Sequence, residues 1–224
     1  MDDGLTAVTA AVLTAVLVGV GLRPVLRRLP EPAAGDGKIA YRDLPTPGFL
    51  WACSALALGA QLVTWTLLPL QVQPVWTVLA LVGVPLAAVD ARTTWLPLRL
   101  THAAWLLMVL ALAGSWALGL PLADLLRALA GAAVAGALYL LVWAVTRGGF
   151  GFGDVRFAPL LGAATASSSA TLLIWGLTLG TALGAVHGGT RLLLGRKGGF
   201  PYAPSMIAGC YLAVVLLHLV AHPP

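Results

Sequence analysis

The chain of 224 residues contains no asparagine, so it holds no N-glycosylation acceptor. Charge is scarce as well. Only 9% of residues are Asp, Glu, Lys or Arg, against about a quarter in soluble domains. That scarcity excludes an ordinary soluble domain, and 59% hydrophobic residues place the chain among polytopic membrane proteins. Cysteine is limited to Cys53 and Cys210, each inside an apolar run. Both read as small buried hydrophobes, because a disulfide framework or a metal set needs closer or clustered spacing. Short alternating strands with regular turns are missing, which argues against an outer-membrane barrel. No polar stretch is long enough for a separate domain, so residues 1–224 read as a single membrane domain. There is no His-Glu-x-x-His zinc motif and no Gly-x-Ser-x-Gly nucleophile elbow. Nothing in the sequence asks for a metal or a cofactor.

What the chain does have is a series of apolar runs with short breaks. A membrane span needs about 20 apolar residues. The pattern predicts an all-α, polytopic fold of about 7–8 transmembrane helices, at 5–26, 48–69, 73–90, 99–119, 122–147, 154–167, 170–194 and 202–221. The third and sixth are short. Turn signals such as Leu68-Pro69 and Gly119-Leu120-Pro121 separate them. The first residues carry Asp2 and Asp3 where a cleavable signal peptide has a basic region. The first loop, about 27–47, is rich in Pro, Gly and charge and reads as a short cytoplasmic loop.

The net charge of +5 lies in those loops rather than in a nucleic-acid patch. Of thirteen basic residues, twelve fall on the odd loops and their helix ends: Arg23, Arg27, Arg28, Lys38, Arg42, Arg92, Arg99, Arg147, Arg156, Arg191, Arg196 and Lys197. Arg127 alone falls on the other side, where Asp124 can pair with it. The positive-inside rule makes the rich side cytoplasmic and puts both termini outside.

Two acids then stand out. Asp154 closes the run Gly151-Phe152-Gly153-Asp154 at the start of the sixth helix, and Asp90 closes the third helix 64 residues earlier. An acid at membrane depth is costly, so each is a functional-site hypothesis. The topology brings both to the cytoplasmic face. Two carboxylates can hydrolyse a peptide bond without metal or covalent intermediate: close like charges cannot both ionise, so the pair shares a proton and titrates as a unit. One takes a proton from water and the other donates to the carbonyl oxygen. Gly151 and Gly153 leave room for a substrate backbone beside Asp154. On physics alone, a small transporter or proton-conducting protein using Asp90 and Asp154 is a comparable reading.

The remaining polar and small residues read as structural. His218 and His222 sit at an outer helix end without a third ligand, and His187 reads as packing or interfacial. His102 follows Asp90 by twelve residues and is a weak candidate neighbour of it. Gly176, Gly180 and Gly184 repeat every four residues, a close-packing face. Pro85 and Pro159 each lie five residues from an acid, where a kink can open a cavity.

Three blocks resemble the type IV prepilin peptidases, also called leader peptidases. Asp90-Ala91-Arg92 with Leu96-Pro97-Leu98-Arg99-Leu100-Thr101 is similar to the family's Asp-x-Arg and Leu/Ile-Pro-x-x-Leu-Thr. Gly151-Phe152-Gly153-Asp154-Val155-Arg156, ending in Gly162, resembles its Gly-x-Gly-Asp-Val-Lys block. Phe200-Pro201-Tyr202-Ala203-Pro204 is similar to its Pro-Phe-Gly-Pro segment. Together they span a catalytic core at about 80–215. The departures are Leu98 for Asn or Asp, Arg156 for Lys, Ala203 for Gly and Ser205 for an aromatic; none removes an acid. Presenilin-like proteases share Gly-x-Gly-Asp but pair it with a different first aspartate motif.

The resemblance implies an aspartic endopeptidase of the bacterial cytoplasmic membrane, with Asp90 and Asp154 catalytic and Gly151 and Gly153 on the substrate side. Its substrates are type IV prepilins or pseudopilins, cut after a Gly that ends a basic leader. The scissile bond would lie at the cytoplasmic boundary. Partners are then the prepilin and membrane lipid, with no nucleic acid. Bifunctional members carry two Cys-x-x-Cys pairs in the first loop and also methylate the product. Here that loop has no cysteine, so the implied enzyme is the short form, a peptidase lacking the cytoplasmic zinc-binding domain that goes with methyl transfer.

Overall fold

The computed structural model describes residues 3–31, 39–147, 150–195 and 199–223. Asp2 of the N-terminal reading, and Lys38, Arg196 and Lys197 of the charge argument, lie outside the described residues. Nine α-helices and no strand occur among the described residues: α1 (Asp3–Arg28), α2 (Pro47–Leu67), α3 (Gln73–Val78), α4 (Val84–Thr93), α5 (Leu98–Ala117), α6 (Leu122–Val145), α7 (Phe152–Ser168), α8 (Ala170–Leu193) and α9 (Ala203–Ala221). Within those residues seven helical stretches are long and apolar enough to cross a membrane. The fold is therefore all-α and polytopic, and each predicted helix is found within a few residues of its expected limits.

The third predicted helix differs in kind. It is a composite from Leu70 to Thr93, in which a π-helical turn at Leu79–Gly83 joins α3 to α4. The π turn ends two residues before Pro85, whose ring crowds the carbonyl four residues back, that of Leu81 within the turn. This composite is the hub: 72% of its apolar window is buried, against 22–44% for the other six spans. Trp76 is fully buried there, its indole N–H donating to the Ser168 hydroxyl at 3.1 Å and its ring edge-on to Tyr211 at 5.2 Å. The outer helices turn Leu and Val outward, such as Val20, Leu110 and Leu193. Such a surface suits lipid rather than water.

Lipid is as apolar as leucine, so these helices are held by close packing and not by hydrophobic exclusion. Small residues make that packing possible. A Cβ on Gly162 would overlap the Gly131 carbonyl, so α6 and α7 touch backbone to backbone. Pro159 continues α7 unbroken, and its ring lies over Gly136 of α6, 3.1 Å from where a Cβ would sit. Gly176, Gly180 and Gly184 are buried and meet α9 at Cys210, Met206 and Tyr202, as their spacing predicts. α7 has 12 buried residues of 17, most of them small. Enclosed on so many sides, it need not be apolar enough to face lipid. Its far end is tied down by Arg127, which pairs with Asp124 at 2.7 Å and donates to the carbonyls of Ala166, Ser167 and Ser168. These are the orphan acceptors of a helix C-terminus.

Candidate active site

Asp90 sits in the last turn of α4. The helix ends there because Thr94 adopts a left-handed conformation, φ 57°, and its N–H donates back to the Asp90 carbonyl at 2.7 Å. The Thr93 hydroxyl donates to the Val89 carbonyl and accepts from the Trp95 N–H, tightening the turn into α5. The Asp90 side chain reaches across to the third block. Its Oδ2 accepts the Ala203 N–H at 3.1 Å. Ala203 opens α9, where a helix has N–H groups without intrahelical partners.

Asp154 is the third residue of α7, after Gly151 at the N-cap. Its N–H donates to the Gly151 carbonyl at 3.1 Å, which folds the carboxylate back over that glycine. A Cβ on Gly151 would stand 2.9 Å from Asp154 Oδ2, and one on Gly153 would stand 3.1 Å from Leu96 Cβ. The space at the two glycines is thus used by the acid itself and by the Leu96-Pro97 block. Both carboxylates are buried, with Asp90 4% and Asp154 7% exposed. The charge of Asp90 reaches Asp154. Asp154 Oδ1 is buried without a hydrogen-bond partner, a costly arrangement for an acceptor. A buried carboxyl oxygen with no protein donor, near a second carboxylate, is equipped to exchange a proton with a reacting molecule.

Aromatic rings tie the second and third blocks together. Tyr202 packs edge-on against Phe150 at 5.0 Å and against Phe200 at 5.8 Å, with Tyr139 at 6.1 Å. His187 lies against Phe200 at 5.6 Å, the packing role expected of it. Arg156 lays its guanidinium 4.6 Å over the Phe152 ring and does not pair with Asp154. His102 is exposed on α5. His218 and His222 stack at 4.5 Å near an exposed helix end, and no metal-holding group of three occurs among the described residues. Cys53 and Cys210 are free and buried.

The first loop supplies what the sequence did not point to. Glu31 accepts the N–H groups of Tyr41 at 2.9 Å and Arg42 at 3.1 Å. That clamp buries Tyr41 and Leu44 in the core. Burial first, then the charges of Glu31 and Asp90, push the Tyr41 phenol up to about 12. Tyr41 is therefore a neutral neighbour of Asp90 at ordinary pH. An acid ten residues from an aromatic has no periodic signature, so only the folded loop reveals the pair.

Asp90, Asp154, Gly151 and Gly153 thus meet at one end of the bundle, about 20 Å along α7 from Arg127 at 1.5 Å per residue. Against known proteins, a sequence model described as the type IV leader peptidase family matches residues 75–189. That range contains the first two blocks and stops before the third. No curated protein and no solved structure matches the chain. The match covers more than half of the chain, whose seven apolar helices suit a membrane peptidase: the protein belongs to the type IV leader peptidase family.

Proposed function

We propose that this membrane protease is an aspartic endopeptidase that cuts type IV prepilins or pseudopilins after the Gly ending their basic leader. The observation that carries the reading is convergence. Three sequence blocks spread over about 110 residues meet at the two buried acids, through Ala203 on Asp90 and Leu96 on Gly153. One carboxylate takes a proton from water, which attacks the scissile carbonyl carbon. The other, protonated, donates to the carbonyl oxygen, and the tetrahedral species collapses with a proton to the leaving amine. Low dielectric around buried acids strengthens each of these transfers. Gly151 and Gly153 hold the second acid in place and flank the path of the substrate backbone.

The positive-inside argument adds the location. The acids face the cytoplasm of a bacterial inner membrane, the side on which a basic leader remains. Both termini then lie outside. With no cysteine in the first loop, the reaction ends at cleavage.

The test uses purified protein in detergent and a prepilin from the same cell. Wild type releases the leader after Gly. Asp90→Asn and Asp154→Asn each lower the rate by at least about 10²–10⁴-fold, the usual worth of a general acid or base. Normal cleavage by either variant removes that residue from the pair.

A further inference from the structure

A groove with a cavity volume of about 980 Å³ runs between α2, α4 and α9. Small residues recur along its walls: Ala52, Ala55 and Gly59 from α2, Ala88 and Ala91 from α4, and Ala208 from α9. Ala52, Ala55, Gly59, Ala91 and Ala208 are exposed. A Cβ on Gly59 would meet nothing within 4 Å. At the helix contacts small residues are spent on a neighbour, as Gly180 is on Met206 and Gly162 on Gly131. Here the same kind of surface faces open space.

Three further features say what fits. The α2 wall runs from Gly48 to Val63, about 22 Å of helix rise. That is most of the roughly 30 Å hydrocarbon layer. One end of the groove is continuous with the candidate site. Ala91 adjoins Asp90, Ala87 is its i−3 neighbour on α4, and Pro204 follows the Ala203 that binds the Asp90 carboxylate. Asp43 and Arg92, both exposed, also line the groove. Val63 and Tyr211, whose hydroxyl is turned to the Trp76 carbonyl, line it as well.

We propose that this groove seats the apolar helix of the leader-bearing substrate, packed between α2 and α9 and delivering its first residues to Asp90; the inference rests on the leader-peptidase reading above. Small walls let the helix backbone come close, as helix pairs in membranes require. The bound helix then runs along the groove, and the basic leader leaves past Asp43. Binding energy from the long apolar part is spent on placing the scissile bond.

Two substrates separate docking from chemistry: a whole prepilin, and a short peptide with the leader, the cleavage Gly and a few following residues. Gly59→Trp puts its Cβ in open space and a large ring in the groove. It lowers kcat/KM for the prepilin at least tenfold and leaves the short peptide unchanged, which also shows that the variant is folded. Leu106→Trp, on the exposed face of α5, changes neither. In a Cys53→Ala, Cys210→Ala, Asp154→Asn background, Gly59→Cys forms a disulfide with a cysteine placed in the prepilin helix, and Val109→Cys does not. Equal loss on both substrates, or wild-type cleavage of prepilin by Gly59→Trp, overturns the docking site and leaves the protease reading intact. Gly59→Cys linking two copies of the enzyme in place of the prepilin also overturns it, in favour of a self-interface. Wild-type cleavage of prepilin with the groove occupied only by co-purified lipid overturns it too. Failure of the wild type to cut either substrate removes the protease reading and this inference together.

Discussion

Gly151→Ala isolates the position of one carboxylate from the stability of the fold. Gly151 has φ −68° and ψ 128°, an extended backbone that alanine adopts without strain. The glycine is therefore not there for its conformational freedom. It is there for space: an added Cβ would stand 2.9 Å from Asp154 Oδ2, whereas ordinary van der Waals contact begins at 3.4 Å. The carboxylate must move by about 0.5 Å, and as the tip of a flexible side chain it can do so. The rotation costs no more than about 0.5–1.5 kcal/mol, and alanine returns about 0.4–1 kcal/mol by restricting the unfolded chain. Stability should stay nearly level. Catalysis is less forgiving, since about 1 Å of misplacement costs about 10²-fold; half of that corresponds to about tenfold. The assay pairs prepilin cleavage with thermal unfolding in the same detergent. A tenfold loss of kcat/KM with Tm unchanged is expected. Wild-type kcat/KM, or a rate loss matched by a fall in Tm, refutes the idea that Gly151 sets the place of Asp154.

Gly162→Ala brings a Cβ against the Gly131 backbone carbonyl and within 2.7 Å of Ala135 Cβ. Backbone cannot swing aside, so α6 and α7 must part, at about 1–3 kcal/mol; differential scanning should record a Tm lower by several degrees, while Gly59→Ala, with open space at its Cβ inside α2, should not lower it and should raise it slightly. Arg127→Gln removes the Asp124 pair and the three carbonyl contacts at the end of α7. The carbonyl bonds dominate the loss, about 1.5–3 kcal/mol, because an ion pair whose side chains are 33% and 29% exposed contributes about 0–1 kcal/mol. Cleavage per folded molecule should be unchanged, as Arg127 sits at the other end of α7; a drop in kcat at full folding contradicts that placement.

How much of this was legible beforehand follows from what each signal is made of. The spans were legible because apolar runs, turn residues and basic loop ends are local and mutually consistent. Asp124 and Arg127 were legible as a pair because they lie three residues apart on a helix. The capping of α7 by the same arginine was not, since the partner carbonyls are 39–41 residues away. The acids were legible from their cost at membrane depth. That Ala203 binds Asp90 and Leu96 covers Gly153 was not: long-range contacts leave no periodicity in one sequence. Tyr41 escaped because the first loop reads as a polar spacer. Its burial depends on Glu31 holding two backbone N–H groups.

The π turn at Leu79–Gly83 was equally invisible, since Leu-Ala-Leu-Val-Gly is apolar in any helical form. Such a turn carries one residue more than the α-helical path it replaces. One residue is about 100° of rotation at 3.6 residues per turn. Asp90 therefore points where it does because an extra residue re-phases the lower half of its span relative to Trp76. Counting a plain helical register from the hub tryptophan misplaces the acid by that angle. Relatives with a plain helix here should align with a one-residue gap between positions 79 and 83, and deletion of a single residue from that turn should swing the acid out of the site while leaving the hydropathy profile untouched.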